Sequence, residues 1–538
     1  MQNPRAWAEQ YLNQVKMILC LILLILASAA AQSQPKRNFH PLRDFLTSKE
    51  DRMELLLLDR KLISNLMEYI EELQNKIKVL QRFAEMIRTP LEEAKGREEE
   101  YLSNPLHIFR LIRHMHEDWR HVEKFMRRRV GKNQINFIKE KARGFPSKED
   151  ADDATEAIYR IILTYDVPPK DLVQGLIDGV QYNGSISAID CFSIGNLLFQ
   201  YGEYSAAVAW LSYSFDLVEP EYNTVYEVLK FNSSEVLSLL ARCFVQLDRE
   251  EDARTTLMAL PNLAKRSEDL LGLYKRKRHV KVSRDLQPAL YEEFNQMCRS
   301  SHQNKPSRLH CRYNATTTPF LRLAPLQMEE LSLDPYIVVY HNVLSEEEIA
   351  KVERDAEPLL EPSEVYDGKS FTSSKKRTAL GAWIPEEHYH WPVLNRINIR
   401  IHDMTGLKLN RKLPMQMIKY GFGGHYDIHD DYFNDSFPTI KYYGDSMATV
   451  LFYLNDARHG GSTVFTSPQL KVPSERGKVL FWYNMRGETH DLDEQTLHGA
   501  CPVIYGTKTI LSRWIHEFDQ MFIQPTYRRG NRKFFLHE

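Results

Sequence analysis

The sequence predicts an α+β multidomain chain in which two helical regions precede a C-terminal β-sandwich or jelly-roll barrel. Apolar residues recur at helical spacing near the N-terminus, and paired helices with short polar turns fill the middle. Short alternating or apolar runs crowd the last third. At 538 residues the chain has room for two to four ordinary domains. Its 43% hydrophobic and 26% charged residues exclude a wholly disordered or collagen-like chain. Lys+Arg 70 against Asp+Glu 72 gives a formal charge of −2, so no global field argues for nucleic acid.

The first segment, 1–31, reads as a cleaved signal peptide, with Met17 a possible true start. The apolar run from Met17 to Ala31 follows Lys16 and ends on the small pair Ala29 and Ala31. It is too short to span a bilayer comfortably, so no membrane span is expected. The mature chain is therefore expected to be secretory, and sequons at Asn183, Asn232, Asn314 and Asn434 suit a lumenal location. Cys20 leaves with the signal. Cys298 and Cys311 bracket a short polar loop and are expected to form a disulfide, worth roughly 3 kcal/mol by loop closure. The odd count leaves a free thiol among Cys191, Cys243 and Cys501. No Lys-Asp-Glu-Leu-type retrieval signal precedes Glu538.

Region 32–145 is helical. Leu62, Leu66, Tyr69, Leu73, Ile77, Leu80, Ala84 and Ile87 advance by steps of three and four. The pattern fits a coiled-coil dimerisation element or an amphipathic helix packed within its own domain. Asn104 and Pro105 suit the cap and first turn of a further helix. Region 146–264 has the small-residue and aromatic spacing of tetratricopeptide helix pairs, clearest over Asp190–Trp210 and Val236–Ala253. Tyr165, Tyr201 and Tyr204 either line its concave face, where flat rings suit a polyproline II peptide, or pack the hairpins. Region 265–330 reads as a linker with the disulfide loop, its basic run Lys275–Lys281 being a solvated stretch.

From 331 to 538 strands are predicted over Met415–Tyr420, Ala448–Leu454, Gly461–Phe465, Gly477–Tyr483 and Thr507–Ile515. Between the first two lie overlapping His-x-Asp pairs, His425 with Asp427 and His429 with Asp431. Residues two apart on a strand share a face, so either pair can offer an imidazole and a carboxylate to one ion. His498 supplies a second imidazole, completing a two-His, one-carboxylate face with open positions on iron. Lys508 follows on the next strand and can hold the outer carboxylate of a dicarboxylic cosubstrate. His490, in an acidic loop, reads as a surface residue outside the set.

These motifs resemble the alpha subunit of collagen prolyl 4-hydroxylase over nearly the whole mature length. Gly423-Gly-His-Tyr-Asp-Ile-His-Asp-Asp431 is similar to the family's Gly-Gly-Gln-Tyr-Glu-Pro-His-Phe-Asp, and His498-Gly-Ala-Cys-Pro-Val503 to its His-Ala-Ala-Cys-Pro-Val. The resemblance favours His429 and Asp431 over the earlier pair. It implies a double-stranded β-helix dioxygenase domain whose metal ligands are His429, Asp431 and His498. Lys508 anchors 2-oxoglutarate, and Tyr420, Thr463 and Trp514 line the cosubstrate pocket. It implies Fe(II), 2-oxoglutarate, O2 and L-ascorbate, with 4-hydroxylation of proline in X-Pro-Gly repeats of collagen-like peptides held by the helical middle. The implied partner is protein disulfide isomerase, in a tetramer of two alpha and two beta subunits in the endoplasmic reticulum lumen. Other proline-rich secreted proteins as substrates, or a catalytically silent peptide-binding subunit, are the competing readings. Asp430 stands where the family has phenylalanine, Ile428 where it has proline and Thr509 where it has tryptophan. Thr526 stands where the family has the cysteine that pairs with the equivalent of Cys501, which by the resemblance leaves Cys501 without that partner.

Overall fold

The computed structural model describes residues 44–276, 288–300, 308–366, 371–384, 392–409, 413–433, 440–487 and 489–521. The segment expected to be a signal peptide, Asn434 and Thr526 lie outside them, as does most of the basic run. Among the described residues no helix is long and apolar enough to cross a membrane.

Helix α1 (Lys49–Ala94) runs 46 residues from its Ser48 cap. Helices α2 (Pro105–Arg113), α3 (Trp119–Arg127) and α4 (Lys132–Lys141) follow it, and Asn104 caps α2 as its sequence predicts. Gly131 N and Gln134 Nε2 both donate to the Glu72 carboxylate, fixing α4 against α1.

The helical middle comprises α5 (Lys148–Tyr165), α6 (Ala188–Gln200), α7 (Tyr204–Asp216), α8 (Ser233–Gln246) and α9 (Glu250–Met258). Helices α5 and α6 open on reciprocal capping boxes, Ser147 with Asp150 and Ser187 with Asp190. Each box satisfies amides that a helix start otherwise leaves bare. Trp210, Leu211, Leu198 and Val236 are buried between the helices.

The β region begins earlier than 331. Strands β1 (Cys311–Asn314) and β2 (Leu326–Leu333) already belong to the main sheet, so the expected linker is partly barrel. Next come β3 (Tyr336–His341), β4 (Glu361–Pro362), β5 (Leu380–Ile384), helix α11 (Pro392–Thr405), β6 (Met415–Tyr420) and β7 (Tyr426–His429). Strands β8 (Ser446–Tyr453), β9 (Thr463–Phe465), β10 (Leu470–Val472), β11 (Val479–Tyr483), β12 (His498–Ala500) and β13 (Lys508–His516) complete it. Nine strands form one sheet in the order β1-β2-β3-β11-β8-β13-β6-β5-β4, and four form the other in the order β7-β12-β9-β10. Two facing antiparallel sheets of this kind are a jelly roll. One face of the large sheet covers α11 with Ile397, Ile401, Val450 and Phe481, while Leu480, Trp482, Tyr453 and Phe465 fill the space between the sheets.

Helix α10 (Pro288–Arg299) corrects the expected disulfide. Cys298 pairs with Cys501, at Cα–Cα 5.7 Å, and Cys311 is an exposed free thiol. The cause is packing. Phe294 is fully buried on α10 and sits where a side chain at Gly499 would be, 2.6 Å from that position, so the helix lies against the end of β12. Cys311 instead starts the edge strand β1. Cys501 is therefore paired despite the missing family cysteine, and Cys191 and Cys243 remain buried thiols.

The helical middle and the barrel share one core. Val464, Cys501 and Ile504 of the barrel are buried in the same cluster as the helix-pair residues. At Gly423, φ is +64° and an added Cβ would lie 2.5 Å from that of Ala157, so only glycine lets α5 approach here. Arg160 Nε donates to the Gly423 carbonyl at 3.0 Å. Asn314, one of the sequons, is buried with its amide donating to Met404 O at 3.2 Å, so it is closed to modification in the folded chain.

Candidate active site

Strand register brings the two imidazoles together. His429 on β7 pairs directly with His498 on β12, and their ring centroids lie 4.3 Å apart. Asp431, two residues past His429, turns to the same side. The three ligand atoms lie within 4.8 Å of one another. His429 Nε2 is 3.9 Å from Asp431 Oδ1 and His498 Nε2 is 3.8 Å from Asp431 Oδ2, too far for hydrogen bonds.

Each ligand is aimed by a second contact. His429 Nδ1 donates to Asp427 O at 2.8 Å and His498 Nδ1 to Thr496 O at 3.0 Å. With Nδ1 carrying the proton, each Nε2 presents its lone pair to the shared space. Burial, reinforced by the neighbouring His498, holds the His429 imidazole well below its ordinary pKa, so it stays neutral and ready to ligate. Thr449 Oγ1 donates to Asp431 Oδ2 at 2.7 Å, and Asn484 Nδ2 donates to Thr449 Oγ1 at 3.0 Å. Two imidazoles and one carboxylate on a single face fit a ferrous ion with open positions.

The rejected pair has other work. His425 Nδ1 faces the Thr378 hydroxyl at 2.8 Å and its Nε2 lies 3.1 Å from Asp427, so this imidazole ties β7 to the 376–378 segment. His490 is half-buried on Glu517 at 3.0 Å rather than free on the surface.

A cavity of about 450 Å³ opens onto the triad. Its walls follow the strand alternation: Gln416, Ile418 and Tyr420 on β6, Thr449 and Leu451 on β8, and Lys508, Ile510, Ser512 and Trp514 on β13. Lys508 is fully buried and pairs across the sheet with Tyr420. Its ammonium donates to Thr463 Oγ1 at 3.1 Å and lies 5.5 Å from the Tyr420 ring and 5.8 Å from the Tyr453 ring. Among the described residues no carboxylate lowers the cost of burying that charge, and desolvation depresses its pKa to about 7. An anion at this end of the cavity would supply the missing partner. The Trp482 indole N–H also lines the cavity, buried and without a protein acceptor among the described residues.

Arg377, Gln416, Thr449, Trp482 and Asn484 were not singled out from the sequence. Thr449 and Gln416 are polar residues at inward positions of apolar strands, a signal present in the alternation. Arg377, whose guanidinium sits 4.8 Å from the Tyr426 ring and donates to Gln416 Oε1 at 3.2 Å, comes from a segment with no strand pattern.

Of the three tyrosines expected on a peptide groove, Tyr165 is not there. It is buried, and its hydroxyl donates to Pro502 O of the barrel at 2.7 Å, because α5 docks against the loop after β12. Tyr201 is half-buried with its hydroxyl on Glu156, beside Lys375. Tyr204 packs on Phe199 with centroids 5.5 Å apart.

Comparison with known proteins agrees with this geometry. Residues 415–516 match the 2OG-Fe(II) oxygenase superfamily, and residues 48–179 match the Prolyl 4-Hydroxylase alpha-subunit, N-terminal region. The chain is thus a 2-oxoglutarate-dependent Fe(II) oxygenase by fold and site. Within that class it is similar to prolyl 4-hydroxylase alpha subunits, and the likeness runs nearly end to end. Prolyl 4-hydroxylase subunit alpha-2 of Gallus gallus is 28% identical over 91% of this chain and 96% of its own length. Subunit alpha-1 of Caenorhabditis elegans is 29% identical over 94% and 93% respectively. A solved viral collagen prolyl hydroxylase from Paramecium Bursaria Chlorella virus-1, in complex with 2OG, is 24% identical. It covers 34% of this chain and 95% of its own, with a TM-score of 0.26.

Proposed function

We propose that the chain is the catalytic subunit of a prolyl 4-hydroxylase acting on proline-rich, collagen-like secreted peptides. The observation that carries this reading is the His429–His498 cross-strand pair with Asp431, sharing one cavity with Lys508, which has no carboxylate partner among the described residues. In the net reaction proline, 2-oxoglutarate and O2 become 4-hydroxyproline, succinate and CO2, and ascorbate would serve as the reductant that keeps bound iron ferrous.

His429, Asp431 and His498 would hold the iron, which supplies the oxygen-activating chemistry when bound. Thr449 and the two backbone carbonyls fix the ligand orientations. Lys508 and Thr463 receive the outer carboxylate of 2-oxoglutarate, a charge-assisted contact in a dry site. Tyr420, Leu451 and Ile510 close that end to water. Trp383 and Trp514, with centroids 5.8 Å apart, flank the wide end where a peptide can enter, and their faces suit a pyrrolidine ring. The test is direct: the full chain in air with Fe(II), 2-oxoglutarate, ascorbate and a Pro-Pro-Gly peptide yields hydroxyproline and succinate in equal amounts. Succinate formed with no proline product from any peptide would discard the prolyl reading and keep the oxygenase.

The endoplasmic reticulum lumen is the proposed location, supported by the signal-like N-terminal run and the Cys298–Cys501 bridge. A tetramer with protein disulfide isomerase is proposed from the family likeness. Pairing of two alpha chains has support on α1, where Ile63, Ile70, Ile77, Ala84 and Leu91 stand seven apart, with Leu66, Leu73, Leu80 and Ile87 between. This is the a/d pattern of a two-stranded coil. Ile63, Ile77 and Leu91 are more than half exposed, at 57%, 53% and 61%.

A further inference from the structure

Asp430 sits between two metal-ligand positions. Strict strand alternation would send its side chain away from them. Strand β7 ends at His429, however, and the chain turns, with Asp430 Oδ1 accepting from Tyr432 N at 3.1 Å. The turn leaves Asp430 lining the cavity together with Tyr432 and Phe433. Among the described residues no lysine or arginine side chain pairs with this half-buried carboxylate. The cations that face the same cavity are committed elsewhere: Arg377 to Gln416 and the Tyr426 ring, Lys508 to Thr463. A carboxylate on the cavity wall can accept from a cation that a ligand brings. Glu364, an exposed residue of the cavity lining, adds negative charge, and the Trp383 and Trp514 rings of the same cavity offer faces to a cation.

We propose that Asp430 is a specificity-determining residue that selects peptides carrying lysine or arginine next to the target proline. The inference rests on the prolyl-hydroxylase reading and narrows its substrate class. Asp430 attracts the flanking ammonium or guanidinium, so the preference appears in binding of the peptide and not in the oxidation step. Glu364 steers the same residue.

The test uses the full chain with Fe(II) and 2-oxoglutarate on matched X-Pro-Gly peptides whose flanking residue is lysine, glutamine or glutamate. Lysine should exceed glutamate in kcat/KM by about tenfold or more at low salt, chiefly through KM, and the gap should narrow as salt rises. Asp430→Asn keeps an acceptor oxygen and the volume but loses the charge, so the ratio should fall towards one. Asp430→Lys should invert it. Glu364→Gln, on an exposed side chain, should shrink the ratio in part, giving a second reading if the Asp430 variants do not fold. Equal kcat/KM across the three peptides for the wild type, or an unchanged ratio in Asp430→Asn, overturns the inference while hydroxylation itself stands. Absence of proline product from every peptide, with succinate still formed, instead overturns the prolyl reading and the inference with it.

Discussion

Lys508 turns burial into a binding site. Its amine is pushed down to about 7, while the proposed contact with the cosubstrate needs the ammonium. Above pH 7 the free site is mostly neutral, so binding 2-oxoglutarate must take up a proton. Affinity should then fall as pH rises, by up to about tenfold per unit. Calorimetric titration at pH 8 in buffers of different ionisation heat should report that uptake. Lys508→Met should abolish it and weaken binding roughly 100-fold, leaving iron affinity nearly unchanged. Thr449 supports Asp431 from outside the metal face. Thr449→Val should weaken Mn(II) or Fe(II) binding about 10- to 100-fold with the fold intact, measured by metal titration alongside thermal melting. The His429–Asp431 pair was legible as two residues one strand period apart, His498 and Lys508 only as distant partners, and the choice over His425 and Asp427 came from the resemblance. Asp430 was visible only as a departure from the family, and its place in the cavity depends on a turn that no periodicity encodes.

At the level of elements, the five apolar runs of the last third were legible almost to the residue, since alternation and turn residues bound them. The early strands β1 and β2 were not: Cys311–Asn314 is short and exposed on the sheet edge, and it reads as linker. The disulfide was misread for a related reason. Closeness in sequence favoured Cys298 with Cys311, whereas the docking of α10 on β12 decides for Cys501, 203 residues away. Closing so long a loop is worth about 5 kcal/mol in the chain-entropy picture. Cys298→Ser and Cys501→Ser should each lower the denaturant midpoint substantially and by similar amounts, and the double variant should cost no more than either. Cys311→Ser should leave the midpoint unchanged. A large loss from Cys311→Ser would restore the short loop.

Over the whole molecule, the helical middle and the jelly roll are fused through a shared core, an arrangement that a segment-by-segment reading of sequence misses. Gly423 belongs to the motif that introduces the metal ligands, yet its lack of a side chain is what lets α5 approach. Loosening this contact should therefore reach β7. On α1 the heptad leaves Ile63, Leu66, Ile70 and Ile77 exposed. Ile70→Glu with Ile77→Glu should convert a dimer of the full chain to monomers in sedimentation without altering 2-oxoglutarate turnover per chain. The central claim is that one ferrous ion is shared by His429, Asp431 and His498, and anaerobic Fe(II) titration of the full chain tests it most directly. The wild type and His425→Gln should bind one ion per chain, whereas Asp431→Ala and His498→Ala should bind none at the same concentration. Stoichiometric binding retained in Asp431→Ala and His498→Ala, or lost in folded His425→Gln, would contradict the account.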